Sequence, residues 1–162
     1  MKKATIYTET TIKGPAVKDG AYCAAIEYIL KNGKPYEKYY TGNEENTTYH
    51  RCALQAILLG LSRFKEKCEI EVVTEDVLIA NLIQKNQPEK WERQEWKNSK
   101  KTQVKNKELW QQFLEELNKH KITVTLSKIN PYREKMREEM GRVLKNQCKS
   151  VENIENTEKR GE

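Results

Sequence analysis

The clearest chemical signature in this chain is a basic, tryptophan-bearing segment, residues 85–107. The segment carries eight basic and three acidic residues, a net charge of +5, which is nearly all of the chain's formal +6. Clustered Lys and Arg contact backbone phosphates and release counterions, and such a surface is typical of nucleic-acid-binding proteins. The same pattern also suits a solvated face whose tryptophans pack the segment onto the protein body, so both interpretations stay open. The residues predicted to contact nucleic acid here are Lys90, Trp91, Arg93, Trp96, Lys97, Lys100, Lys101 and Lys105.

The cysteines and histidines give weaker signals. Four cysteines lie far apart without a C-x-x-C pair, which favours free thiols over a zinc ribbon or a disulfide framework. His50 and Cys52 are two residues apart and do not face one another on a helix, so a metal site there is disfavoured. We expect His120 to act as a cation at a helix C-terminus. With only seven glycines and no glycine-rich phosphate loop, a nucleotide-hydrolysing motor is also disfavoured.

Length and composition indicate one domain without a membrane span. The chain has 162 residues, which suits a single domain. No apolar run approaches the roughly 20 residues that cross a bilayer, and the first residues turn acidic before a signal peptide could form. We therefore expect a cytoplasmic protein that does not contact membranes and is a monomer.

Hydrophobic periodicity predicts ten elements in the order β-β-β-α-β-α-α-α-β-α. Alternating residues indicate strands over 3–9, 22–30, 35–41, 69–74 and 122–126. Asn32-Gly33 predicts a tight hairpin, and Thr47 or Thr48 is expected to cap the first helix. The fold class is α/β, a mixed five-stranded sheet with three antiparallel strands first and helices around it. We expect a domain over residues 1–146 and a polar, disordered or frayed tail over 147–162 that could dock a protein partner.

The element order and three motifs resemble the type 1 ribonuclease H family over about residues 4–144. The most specific motif is Val104-Lys105-Asn106-Lys107-Glu108-Leu109-Trp110, which follows Trp91 and Trp96 and is similar to the family's V-K-N-x-x-L-W. Residues 48–54 lie where the family has T-N-N-R-M-E-L, and residues 74–76 lie where it has T-D-S. Residues 5–10 lie where the family reads I-Y-T-D-G. The resemblance implies the RNase H-like fold, with residues 85–107 as its basic handle.

The resemblance also implies a catalytic centre, from which this chain departs. The family cleaves the RNA strand of RNA–DNA hybrids with two divalent ions held by Asp, Glu, Asp and Asp. The matching positions here carry Glu9, Ala53, Glu75 and, near the last helix, Glu138, with Glu139 as its alternative. Asp76 could replace Glu75, although a one-residue step turns a side chain to the other face of a strand. The family's glycine-histidine loop would lie at residues 129–130, without its histidine.

Three functional interpretations follow from the resemblance. The first is a catalytically inactive or severely impaired domain that binds hybrid or duplex nucleic acid. In the second, Glu9, Glu75 and Glu138 form an altered site that binds Mg²⁺ or Mn²⁺ weakly and retains nuclease activity. The third is a protein-interaction scaffold, and simple solvation of the three glutamates remains open throughout. Asn106 matches a position near the hybrid backbone, whereas Tyr49 and His50 replace the paired asparagines that read the minor groove, which puts RNA-strand discrimination in doubt.

Overall fold

The computed structural model is built around a mixed five-stranded sheet flanked by five helices, as the sequence predicts. It describes the backbone of residues 1–160 and the side chains of residues 1–146. The element order confirms the predicted one. The elements are β1 (Lys2–Thr10), β2 (Lys18–Ile29), β3 (Pro35–Thr47), α1 (Tyr49–Leu61), β4 (Cys68–Thr74), α2 (Val77–Gln84), α3 (Gln87–Arg93), α4 (Lys107–Lys119), β5 (Lys121–Leu126) and α5 (Arg133–Arg160).

The sheet has the strand order β3-β2-β1-β4-β5. The first three strands form antiparallel pairs, and β1–β4 and β4–β5 are parallel. Tyr7 of β1 is aligned with Val73 of β4, and two further residues along this register place Glu9 beside Glu75. The parallel pair therefore positions two carboxylates at one edge of the sheet, where its strands end.

The β2–β3 hairpin forms at the predicted Asn32-Gly33 turn. Gly33 has φ +81°, a conformation that glycine adopts without a Cβ penalty. The Leu30 amide donates to the Lys34 carbonyl at 2.9 Å, which closes the turn. β3 continues to Thr47, six residues beyond the predicted end at residue 41, because its polar second half pairs with β2 over residues 18–23.

Two hydrophobic layers hold the helices against the sheet. On one face α1 and α4 bury Leu54, Ile57, Trp110 and Phe113 against the β1 and β4 residues that include Ile6. On the other face α5 buries Met136 and Met140 against small residues of β2, namely Ala21, Cys23 and Ala25. This second layer fixes the start of α5 close to the end of β1.

Three further predictions concern the cysteines, the tail and membrane spans. Cys23, Cys52 and Cys68 are buried free thiols, as predicted, whereas Cys148 lies outside the described side chains. The predicted boundary between residues 146 and 147 falls within α5, and the side chains of the tail 147–162 also lie outside those described. Within the described part of the chain, every helix is too short or too polar to cross a membrane.

Candidate active site and nucleic-acid interface

Glu9 and Glu75 converge where β1 and β4 end. The Glu9 side chain is only 1% exposed, and its Oε1 accepts the amide proton of Thr10 at 3.0 Å. Glu75 lies directly after β4 and is about a quarter exposed. A buried carboxylate is costly unless it is paired, so the partners of Glu9 determine what this site can do.

Two basic side chains bridge the carboxylates. Lys13 Nζ donates to Glu9 Oε1 and, at 2.5 Å, to Glu75 Oε1. Arg133, the first residue of α5, donates from Nε to Glu9 Oε2 at 2.8 Å and has Nη2 at 3.5 Å from Glu75 Oε2. Each carboxylate therefore contacts both cations in a closed, electroneutral arrangement. We refer to these four residues as the charge ring.

The charge ring keeps Glu9 ionised. Burial alone would raise the pKa of its carboxyl group. The hydrogen bonds from Lys13 and the Thr10 amide, together with the positive charge of Arg133, outweigh that effect and lower the pKa below its ordinary value of 4.5. At neutral pH the ring thus consists of two carboxylates and two cations.

Ala53 lies beside the charge ring on the first turns of α1 and is buried. Its methyl group cannot coordinate a metal ion. The residual space between Ala53, Glu9, Glu75 and Lys13 is a cavity of only about 10 Å³, close to the smallest space that holds one water molecule. The position that was predicted to lack a metal-coordinating carboxylate thus also lacks the space for a metal ion with its water ligands.

Glu138 does not join the pair, so the predicted cluster of three carboxylates is wrong. Its side chain is exposed on α5, and Glu139 pairs with Lys135 and Arg142 of the same helix. The α5 residue that reaches Glu9 is Arg133, so a cation stands where the fourth carboxylate was expected.

Divalent metal does not fit this donor set. Mg²⁺ requires near-octahedral oxygen ligands and usually takes carboxylates that are free to coordinate it. Here both carboxylates are bound by Lys13 and Arg133, and Ala53 supplies no donor. Residues 1–146 contain no group of three or more His, Cys, Asp or Glu side chains that could hold a metal ion.

Asp76 turns away from the ring, as its position one residue after Glu75 predicts. Its Oδ1 accepts the Ile79 amide proton at 3.1 Å and caps α2. Its Oδ2 lies 2.6 Å from Nδ1 of His50, and its side chain is 1% exposed. His50 is half-exposed and its ring contacts that of Tyr49, so the two residues at the minor-groove positions form a fixed aromatic pair.

Arg51 ties α1 to β3 and α4. Its Nε and Nη2 bind the two carboxylate oxygens of Glu44 at 2.6 and 3.2 Å. Its Nη1 donates to Glu108 at 2.6 Å and to the side-chain oxygen of Asn106 at 3.2 Å. Hydrogen bonding to Arg51 lowers the pKa of both Glu44 and Glu108. The hydrogen bond from Arg51 holds the Asn106 side chain in place. It also occupies one of the two acceptor positions on the side-chain oxygen of Asn106.

A cleft of about 920 Å³ runs from the charge ring to the handle segment, residues 85–107. Lys13 is the charge-ring residue that lines the cleft, together with Tyr49 and His50 of α1 and with Lys105 and Asn106 of the handle. The other basic residues of the predicted interface are exposed on the handle: Lys90, Arg93, Lys97, Lys100 and Lys101.

The handle tryptophans serve mainly in packing. Trp91 is half-buried and packs edge-on against Trp110, with ring centroids 5.9 Å apart, while one side lines the cleft. Trp96 is 7% exposed and belongs to the core, so its burial argues against the predicted contact with nucleic acid. Trp96 and the preceding Glu95 have positive φ, and this turn after α3 carries the indole inward.

His120 lies at the predicted helix C-terminus, that of α4, but its ring is buried. Its Nδ1 accepts the backbone amide proton of Cys68 at 3.1 Å. His120 therefore links the end of α4 to the start of β4.

Sequence reasoning missed Lys13, Arg133 and Arg51 as site residues. The resemblance directs attention to carboxylate positions, and a cation in a loop or a helix start gives no local signal of a long-range partner. The T-x-x-R spacing over residues 48–51 was the one available signal for Arg51.

Comparison with known proteins agrees with this fold. A sequence model described as RNase H matches residues 1–130. "Ribonuclease H" of Caldicellulosiruptor saccharolyticus is 41% identical over 123 residues, covering 75% of this chain and 80% of the relative. "Ribonuclease H" of Acetivibrio thermocellus is 37% identical over 122 residues, covering 75% and 79%.

Solved structures with this fold align despite low identity. LC9-RNase H1, described as a type 1 RNase H with the type 2 active-site motif, aligns with a TM-score of 0.65 and 18% identity. That alignment covers 76% of this chain and 61% of the other. The PFV RNase H domain aligns with a TM-score of 0.63 and 19% identity, covering 78% and 79%. The chain belongs to the RNase H family.

Proposed function

We propose that this domain binds RNA–DNA hybrid or duplex nucleic acid without cleaving it. The charge ring is the observation that carries the proposal, because Lys13 and Arg133 neutralise the carboxylates that the family resemblance assigns to metal binding. Two carboxylates and two monovalent cations balance one another, just as four carboxylates balance two divalent ions. Neither Mg²⁺ nor Mn²⁺ has a coordinating pair of free carboxylates here.

The exposed basic residues of the handle support nucleic-acid binding. Lys105 of the handle lines the same cleft as Lys13, and the other basic residues of the handle are exposed. Such a surface favours a polyanion through counterion release, which makes affinity fall steeply with salt. The proposed ligand is intracellular nucleic acid, and the proposal therefore includes a cytoplasmic location. It also includes a monomeric state.

A second candidate is a working nuclease, and the names of the relatives favour it. Two relatives at 41% and 37% identity are called Ribonuclease H. In this alternative, divalent ions displace Lys13 and Arg133 from Glu9 and Glu75. A protein-interaction scaffold is the third candidate, for which the described side chains offer no docking segment.

A cleavage assay separates the first two candidates. Purified protein is incubated with end-labelled RNA–DNA hybrid in Mg²⁺ or Mn²⁺, and the proposal expects intact RNA under both conditions. RNA cleavage that Glu9→Gln abolishes would refute it. The matched gain-of-function variant combines Glu9→Asp, Ala53→Glu, Glu75→Asp and Arg133→Asp with Lys13→Ala. Activity in this variant but not in its parent would identify the charge ring as the cause of inactivity.

Binding needs a separate measurement. Fluorescence anisotropy with labelled hybrid should show a linear fall of log K with log salt. A flat salt response, or no binding at low salt, would refute the nucleic-acid proposal. A protein partner that is retained after nuclease treatment would favour the scaffold instead.

A further inference from the structure

We infer that Lys13 and Arg133 serve as built-in counter-cations that hold a backbone phosphate of the bound nucleic acid, so that binding requires no divalent metal. This inference rests on the proposed function and deepens it. It assigns a phosphodiester site to residues that the sequence did not single out. The charge ring would thus bind a backbone phosphate directly through its cations, although its residues do not fit a metal ion.

Both cations retain hydrogen-bond donors after forming the ring. Lys13 Nζ has three donors, of which two serve Glu9 and Glu75. Arg133 uses Nε for Glu9 and Nη2 for the Lys128 carbonyl at 2.7 Å, whereas Nη1 has no hydrogen-bond partner among residues 1–146. Their side chains are 41% and 29% exposed, so solvent and a ligand can reach these donors.

The surrounding surface directs a phosphate backbone to this point. Lys13 lines the same cleft as Lys105 and Asn106 of the handle, and Thr48 at the α1 N-terminus lines it too. Lys128 follows β5, and its backbone carbonyl accepts a hydrogen bond from Arg133 Nη2 at 2.7 Å, which helps to fix the guanidinium group. A strand that contacts the handle and continues along the cleft therefore reaches Lys13.

The carboxylates have a defined role in this site. Glu9 and Glu75 fix the two cations before the ligand arrives, so little side-chain freedom remains to be lost on binding. They also leave the ring electroneutral, which makes its contribution to affinity depend on donor geometry rather than net charge. Neutralising Glu9 would leave the ring with one positive charge and should strengthen its attraction for phosphate.

Hybrid binding measured with and without divalent metal tests the inference. Anisotropy titrations of a labelled RNA–DNA hybrid are run in EDTA and in Mg²⁺ at matched ionic strength. We expect Kd values that agree within about twofold, because no divalent ion contributes to the contact. Kd that improves tenfold or more with Mg²⁺ would overturn the inference while leaving hybrid binding intact.

Substitutions identify the cations directly. The paired variant Glu9→Gln/Lys13→Gln removes a charge together with its buried partner, so the fold is not left with an unpaired carboxylate. We expect it to weaken binding about threefold to tenfold, because donors to the phosphate are lost. The slope of log K against log salt should stay unchanged, because the removed pair carries no net charge. Glu9→Gln alone should bind as tightly as the wild type or more tightly.

The control variant is Lys121→Gln, which removes an exposed lysine at the opposite end of β5 from the ring. Its affinity and salt slope should equal those of the wild type. If the paired variant also keeps the wild-type affinity, the inference is wrong although the proposed function stands. If no variant, including the wild type, binds hybrid at low salt, the proposed function itself fails and the inference with it.

Discussion

Replacing Lys13 by Met should destabilise the protein through Glu9. Met keeps an unbranched apolar stem but removes the ammonium group that contacts both carboxylates. A hydrogen bond to a charged group contributes about 1.5–3 kcal/mol, and Glu9 retains Arg133 and the Thr10 amide after the change. Because Lys13 is 41% exposed, solvent screening reduces the effect. We expect the free energy of unfolding to fall by about 2 kcal/mol at pH 7.

The loss should depend on pH with a definite sign. In the wild type the pKa of Glu9 is lowered from 4.5, so the ring's stabilisation is complete above that value and disappears as pH falls through the folded-state pKa. A protonated Glu9 carries no charge, so the ammonium group of Lys13 no longer stabilises it electrostatically. The difference between wild type and Lys13→Met should therefore be largest near pH 7 and shrink as the pH falls below 4.5 and through the folded-state pKa of Glu9.

Thermal unfolding and urea titrations at several pH values measure this difference. For a chain of this length, about 2 kcal/mol corresponds to a fall in Tm of roughly 4–8 °C. A double-mutant cycle with Glu9→Gln should recover most of the loss as coupling between the two residues. Lys121→Met, which removes an exposed lysine away from the ring, is the matched control. A loss below about 0.5 kcal/mol, or an equal loss at pH 3 and pH 7, would refute the account of the ring.

Three further outcomes can be measured on other parts of the site. Arg51→Ala should lower the free energy of unfolding by about 1–2 kcal/mol in urea titrations, because Glu44 and Glu108 lose a shared partner in a partly buried network; no loss would show that solvent replaces those contacts. Asp76→Ala should cost about 1–2 kcal/mol through the lost α2 cap, and Asp76→Asn, which keeps a side-chain oxygen for the Ile79 amide, should cost less by the same measurement. Trp96→Ala should lower the free energy of unfolding by about 3–5 kcal/mol without changing the salt slope of hybrid binding. The variant Lys100→Gln/Lys101→Gln should instead lower that slope by about two and leave Tm unchanged. A salt slope that falls in Trp96→Ala would mean that Trp96 reaches the ligand.

The order of the elements was predictable because each has a local signature. β-branched alternation indicates β1, β2, β4 and β5, and Asn32-Gly33 indicates the hairpin turn between β2 and β3. The full length of β3 was less visible, since its second half is polar and is held by pairing with β2 rather than by burial. Local sequence propensity does not predict the second half of β3, because that half is strand only through its hydrogen bonds to β2.

The fourth site position was misplaced because a helix changes direction quickly with residue number. Glu138 lies five residues after Arg133, which corresponds to about 7.5 Å along the helix axis and roughly 140° around it. An error of this size moves a side chain from the ring to the solvent-exposed side of α5.

Trp96 shows a different limit. A tryptophan between lysines has the same sequence pattern whether its ring packs inward or faces a ligand. The decision depends on the positive φ angles of Glu95 and Trp96, and neither residue is a glycine that would signal such a turn. Only the three-dimensional path of the handle separates the two outcomes.

The charge ring also bears on how easily this site could change back over evolutionary time. The site has no net charge either as the present ring or as four carboxylates that hold two divalent ions. A sequence that has only some of the substitutions between these two sets leaves a net charge in the site. Reinstating a carboxylate at Ala53 alone adds a negative charge beside a cavity of about 10 Å³, and losing Arg133 alone leaves Glu9 short of a partner. Each single step lowers stability before any activity could be selected. In the non-cleaving domain that we propose, the stability of the charge ring therefore opposes its replacement by a metal-binding carboxylate set.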